Sequence, residues 1–302
     1  MWRTRSARPE FWWWNARAVS EPPRALRGTN DRRRRRASRC TNLACESPLP
    51  SGKTGQIPMH ARLPFFMNIP TLLARILTPL LLAATWPAAA ADFIAPPTGA
   101  GPAVVVISGT GNQAPYRWYA VDVARLGYAV ALVPGKDVCS ASSSSCSKTD
   151  AESAENLQKA ITELQGQKDV TPGKVVVISF SLGGGGALVH AAPISKQVAG
   201  VVAYYPSISK ITRLDDVAAR VAVPTLILSG EKDKFFDCCL IDSMRTFEST
   251  GRAKGAPIEL VVYPNADHGF NFDGSRYRPD DGADAWERTK VFLARVLPLP
   301  LK

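Results

Sequence analysis

The chain has 302 residues, 45% of them apolar, and its 37 Lys plus Arg against 26 Asp plus Glu give a formal charge of +11. That charge is lopsided: residues 1–91 hold 15 basic and 4 acidic side chains, whereas residues 92–302 hold 22 of each. A folded part without net charge argues against a basic nucleic-acid groove, and a total of three histidines (His60, His190 and His268) excludes a histidine-rich metal site.

Residues 1–58 carry Trp12-Trp13-Trp14, the arginine run Arg32 to Arg36, and much Pro and Ser, with no apolar periodicity. Such a stretch does not pack a core and reads as a disordered leader or as sequence upstream of the true start, with a nucleic-acid-binding arm as the alternative. Pro50 to Thr54 superficially resembles a phosphate-binding loop, but Ser47 stands where that motif needs its first glycine. Residues 59–91 have the three parts of a secretory signal: Arg62 and Arg75, the apolar run Ile76 to Ala84, and small residues up to Ala91. The apolar run is shorter than the ~20 residues that span a bilayer and is broken by Pro79, which disfavours a retained anchor. The expected mature protein is therefore residues 92–302, a single exported domain without stable membrane insertion.

From Pro102 onward, short β-branched runs alternate with helical stretches. Strands are expected at Val104–Ile107, Tyr128–Val133, Lys174–Ser179, Val198–Tyr204, Thr225–Ser229 and Ile258–Tyr263. Helices are expected at Tyr116–Leu126, Asp150–Leu164, Leu182–Ala192, Asp242–Thr250 and Ala283–Leu297. Strands that are apolar throughout are buried on both faces, so the alternation predicts an α/β fold: a mostly parallel sheet of about six strands with helices on both faces.

In open α/β sheets the working residues sit at the carboxyl ends of strands. Three such ends are chemically loaded. Ser179-Phe180-Ser181-Leu182-Gly183 matches the nucleophile elbow G-x-S-x-G, with Ser179 replacing the first glycine. Asp233 follows the strand Thr225–Ser229, and His268 follows Ile258–Tyr263. The order Ser181, Asp233, His268 suits a nucleophile, an orienting acid and a base: a serine hydroxyl becomes a good nucleophile only when a base takes its proton, and a carboxylate fixes the base's tautomer. Two backbone amides complete such a site by holding the developing oxyanion. Leu182, directly after the nucleophile, supplies one, and Thr110 in the loop Ser108–Gly111 supplies the other, with Gly111 as the alternative. Among rivals, His190 lies nine positions beyond Ser181 on the same helix, facing away, and Asp267 adjoins His268. Asp237 is the substitute for Asp233. Trp118, Phe235, Phe236, Phe270 and Phe272 could line an apolar acyl pocket or serve as plain packing.

At these residues the sequence resembles the dienelactone hydrolase family of α/β-hydrolases. The likeness covers most of residues 102–297 and rests on Ile178 to Gly186, Pro224 to Asp233, Val261 to Pro264 leading into His268-Gly269-Phe270, and Asp284 to Thr289. It implies an α/β-hydrolase fold and hydrolysis of a small-molecule ester or lactone through an acyl-enzyme, with no metal or organic cofactor. Position 181 is serine where the family's namesakes have cysteine, which looks more like esterase-type members. The short span between Asp92 and Val104 leaves no room for the amino-terminal strand hairpin of many α/β-hydrolases, so the sheet should be a trimmed version. The alternatives are a non-catalytic binding protein of the same fold, and a peptidase or acyltransferase using the same three residues. The sequence leaves the oligomeric state open.

Cys40 and Cys45 lie in the leader; Cys139, Cys146, Cys238 and Cys239 remain for the mature chain. An even number in an exported protein suggests disulfides, with three possible pairings, against the alternative of free thiols. Bonding between the adjacent Cys238 and Cys239 would be strained. No Cys-x-x-Cys or other Cys/His grouping in the sequence suggests zinc.

Overall fold

Asp92–Ile94 forms a short strand, β1, that pairs antiparallel with β3 (Ala129–Val133). The computed structural model describes residues 91–300, so the leader at 1–58 and all but the last residue of the signal segment at 59–91 lie outside the described residues. The other strands are β2 (Ala103–Ile107), β4 (Val175–Phe180), β5 (Val198–Tyr204), β6 (Thr225–Gly230) and β7 (Ile258–Tyr263). Strands β2 to β7 are mutually parallel, in the sheet order β1-β3-β2-β4-β5-β6-β7. All six expected strands are present. The seventh strand, β1, is a three-residue antiparallel edge rather than a hairpin, consistent with the few residues available before β2.

Every residue of β2, β3, β4 and β6 is buried, as apolar runs covered on both faces require. The strand alternation then sorts side chains to two cores. Val105 and Ile107 face the core to which α2 (Asp150–Gln165), α3 (Ser181–His190), α4 (Leu214–Ala219) and α5 (Ile241–Ala253) contribute Leu157, Leu188, Val217 and Phe247. Val104 and Val106 face the other core, to which α1 (Ala114–Arg125) and α6 (Pro279–Val296) contribute Val123, Phe292 and Leu293. Helix α4 has only six residues, too short for its periodicity to be legible.

Local chemistry sets the helix ends. Thr149 and Glu152 form a reciprocal capping box at the start of α2, the Thr149 hydroxyl accepting from the Glu152 amide at 3.2 Å. Gly127 ends α1 at φ +111°, its amide donating to the Ala124 carbonyl at 2.8 Å. The chain leaves β2 toward β3 on one side while β4 lies on the other. The carboxyl ends of β2 and β4 therefore flank the point where strand order reverses, where open α/β sheets place their sites. No helix among the described residues is long and apolar enough to cross a membrane.

Candidate active site

Ser181 is the first residue of α3 and takes φ +49°, a left-handed conformation that is costly for a residue with a side chain. The surroundings impose it. Ser179 is buried under β5, its hydroxyl donating to the Val202 carbonyl at 3.1 Å, and the Ser181 carbonyl accepts from the Ser207 amide at 2.8 Å. The glycines that follow let α3 lie directly on neighbouring backbone. A β-carbon on Gly183 would stand 2.4 Å from the Ser108 carbonyl oxygen, and one on Gly185 2.3 Å from that of Ser207. The turn is thus a tight joint between three loops, which lifts the hydroxyl above the sheet at a helix N-terminus.

Three sequence-predicted residues converge there. The Ser181 Oγ lies 3.0 Å from His268 Nε2, and His268 Nδ1 lies 2.8 Å from Asp233 Oδ2. A carboxylate only accepts, so Nδ1 carries the proton and Nε2 is free to accept from the serine hydroxyl. All three side chains are buried, with residue exposures of 5% for Ser181, 2% for Asp233 and 8% for His268. The second oxygen of Asp233 accepts the Phe235 amide at 3.0 Å, which fixes the carboxylate plane.

The imidazole packs against two aromatic rings. Phe235 stacks on it, centroids 4.3 Å apart and planes 9° from parallel, and Tyr205 packs at 4.6 Å. The guanidinium of Arg276 lies over Phe235 at 5.2 Å, extending the stack. Tyr205 itself has φ +35°, and its hydroxyl donates to Asn271 Oδ1 at 2.8 Å; burial pushes its phenol well above the usual value, so it stays a donor. Neither the role of Tyr205 nor the stacking geometry was foreseen from sequence. The available signal was position: Tyr205 directly follows β5, one more strand end on the working edge of the sheet.

The oxyanion candidates are placed as follows. Leu182 is the second residue of α3, where helix amides have no intrahelical partner. Thr110 lies exposed in the loop after β2, and Gly109 comes close to the nucleophile: a β-carbon there would be 3.1 Å from Ser181 Cβ and 2.4 Å from the Tyr116 hydroxyl. Burial raises the Tyr116 phenol, and a backbone hydrogen bond with Gly109 partly opposes that.

The rival residues stand apart. His190 packs under the helix, its Nε2 3.0 Å from the Cys139 carbonyl, and burial lowers its proton affinity. Asp267 accepts the His268 amide at 2.7 Å and pairs with Arg276, while Asp237 is exposed on a strained turn at φ +52°. Of the aromatic candidates, Phe270 is wholly buried packing, Phe272 joins a cluster with Tyr116 and Phe180, and Trp118 and Phe236 are exposed.

The four cysteines join locally, Cys139 with Cys146 and Cys238 with Cys239. The first pair brackets the serine-rich stretch Ser140 to Ser145. The second closes the turn after Asp233, and its two sulfurs and a ring nitrogen of His268 all lie within 4.8 Å of one another. The fold therefore assembles a Cys/His grouping from residues about thirty positions apart in sequence, which spacing alone could not disclose.

Residues 91–297 match the model of the dienelactone hydrolase family. The chain belongs to that family. Its architecture is accordingly the α/β-hydrolase fold. Among curated relatives, a protein of Methylorubrum extorquens provisionally named carboxymethylenebutenolidase is 30% identical over 145 residues, 46% of this chain and 49% of that one. The chain spans about half the length of the curated relatives it matches. Among solved structures, a provisionally named dienelactone hydrolase from Klebsiella pneumoniae superposes with TM-score 0.55 at 23% identity, covering 65% of this chain and 88% of that one. Thermogutta terrifontis esterase 2, phosphoramylated by tabun, does so with TM-score 0.52 at 18% identity, covering 70% and 90%. Likeness at these identities concerns the fold; the family itself rests on the matched residues.

Proposed function

We propose that this dienelactone hydrolase-family member is a serine hydrolase that cleaves carboxylic esters or lactones through an acyl-enzyme. The observation that carries the reading is the continuous path from Ser181 Oγ to His268 Nε2, 3.0 Å, and from His268 Nδ1 to Asp233 Oδ2, 2.8 Å. In the first half-reaction His268 takes the Ser181 proton as Oγ attacks the ester carbonyl carbon. The carbonyl oxygen becomes negative and is met by the amides of Leu182 and Thr110. As the intermediate collapses, His268 gives its proton to the departing alcohol oxygen. Water then attacks the acyl carbon, His268 takes its proton, and the proton returns to Ser181 as the acid is released. Asp233 keeps the imidazole in the required tautomer and stabilises its cationic form.

The exposed Trp118, near the start of α1, and Phe236, beside Asp233, favour an apolar acyl or aryl group on the substrate. The signal-like segment before Asp92 and the pairing of all four cysteines of the described residues support work outside the cytoplasm. A structural neighbour trapped as a tabun adduct suggests the test. A fluorophosphonate probe should label the wild-type protein and not Ser181→Ala, and that variant should lose roughly 10⁴–10⁶-fold in kcat on chromogenic esters with its melting temperature unchanged. No labelling of the wild type, with the fold intact, would point to a binding protein instead.

A further inference from the structure

The turn after Asp233 is unusual in its construction. Phe236 and Asp237 both take left-handed backbone conformations, φ +48° and +52°, and Cys238 and Cys239 follow at once. The loop after β5 clasps them: the Ser209 amide donates to the Cys238 carbonyl at 2.9 Å, and the Leu240 amide donates to Ser209 Oγ at 2.9 Å. Cys239 is wholly buried while Cys238 is partly exposed. A bridge between neighbours closes the shortest possible loop, and restraint of the unfolded chain grows with loop length. This pair therefore adds little global stability, and the fold should survive its reduction. What distinguishes it is location: both sulfurs lie within 4.8 Å of a nitrogen of His268.

We propose that reduction of the Cys238–Cys239 bridge converts this corner into a binding site for one thiophilic divalent metal ion, held by the two sulfurs and the His268 imidazole. A phosphine reductant cleaves the bridge: phosphorus is oxidised, taking the oxygen of a water molecule, and the disulfide accepts two electrons, with the two hydrogens of that water ending on the sulfurs. The freed sulfurs can part to the roughly 3.5–3.8 Å that separates donors around tetrahedral zinc. Binding forms two metal–sulfur bonds and one metal–nitrogen bond and releases both thiol protons to solvent. Water or an added anion completes the coordination. Coordination at Nε2 displaces the Ser181 hydroxyl, and coordination at Nδ1 displaces Asp233, so either mode removes the imidazole from the proton path. Existence of the metal site is independent of the serine hydrolase reading; only its inhibitory effect rests on that reading.

Cobalt(II) alone is the probe, because thiolate ligation gives a near-ultraviolet charge-transfer band and tetrahedral geometry gives intense visible bands. The full chain is made with Ser at positions 40, 45, 139 and 146, so that only Cys238 and Cys239 remain, then reduced with a phosphine and desalted under argon. The expected result is one cobalt per chain with both sets of bands, displaced by Zn²⁺, and no bands in the same protein left oxidised. Further replacement of Cys238 and Cys239 by Ser should abolish the bands, and His268→Gln should weaken binding at least tenfold and alter the visible bands. A reduced protein without cobalt–thiolate absorption overturns the proposal, as does binding that His268→Gln leaves unchanged. Ser181→Ala should bind cobalt like its parent, and a metal-free wild type that no fluorophosphonate labels but whose reduced form binds cobalt refutes only the hydrolase reading. Conversely, fluorophosphonate labelling of Ser181 in a protein that takes up no cobalt refutes only the metal site.

Discussion

Around Ser181 the positioning is done by backbone, and around Asp233 it is done by side chains. The elbow is wedged between loops so closely that Gly183 and Gly185 have no room for a methyl group. The acid loop is held by the Asp233 bond to the Phe235 amide, by ring stacking on His268, and by a bridge between neighbours. Packing against backbone is insensitive to solution conditions, because nothing in it titrates or is reduced. A corner built from a carboxylate, an imidazole and sulfur responds to all of these. Two ends of the proposed proton path are thus expected to fail in different ways.

Beyond the nucleophile itself, the largest effect should come from the responsive end. Asp233→Asn keeps an oxygen for the Phe235 amide but leaves His268 in the wrong tautomer, and kcat for an ester should fall roughly 10³–10⁴-fold while the melting temperature barely moves. The reverse pattern is expected at the packed end. Gly185→Ala pushes a methyl group into the Ser207 carbonyl and should cost a net ~1–3 kcal/mol in denaturant unfolding, even after the gain in helix propensity. A variant as stable as wild type would refute the idea that the elbow is a backbone joint. Phe235→Ala removes the ring on His268 and should lower kcat/KM about tenfold, with about 1 kcal/mol of stability lost. The smallest effect belongs to His190 at the far end of the elbow helix. Burial lowers its proton affinity in the folded state, so the unfolded chain binds the proton first on acidification. Its contribution is therefore intact above the ordinary imidazole value of about 6.5 and is lost as pH falls below it. Melting curves between pH 7 and 5 should show His190→Gln less acid-sensitive than wild type.

The same contrast governs what could be read in advance. The six parallel strands were legible because burial on both faces forces unbroken apolar runs such as Val104 to Ile107. The elbow was legible because its steric demands appear as small residues at fixed offsets from Ser181. Asp233 and His268 followed from chain order and from their places after strands. The three-residue β1 and six-residue α4 are too short to show a period. The stacking of Phe235 and the approach of Cys238 and Cys239 to His268 depend on where two separate loops meet, and no local pattern encodes that meeting.

Strand β1 has its own consequence. Without Asp92–Ile94, the apolar β3 would present its unpaired amides and carbonyls along a sheet border. Borders of that kind recruit strands from other molecules and seed aggregation. The short antiparallel cover occupies Val130, Ala131 and Leu132, and Asp92 ties it to Arg117 at 2.9 Å. Trimming a recombinant version at residue 95 rather than 92 would therefore strip a guard rail and invite self-association, although every residue of the candidate site would still be there.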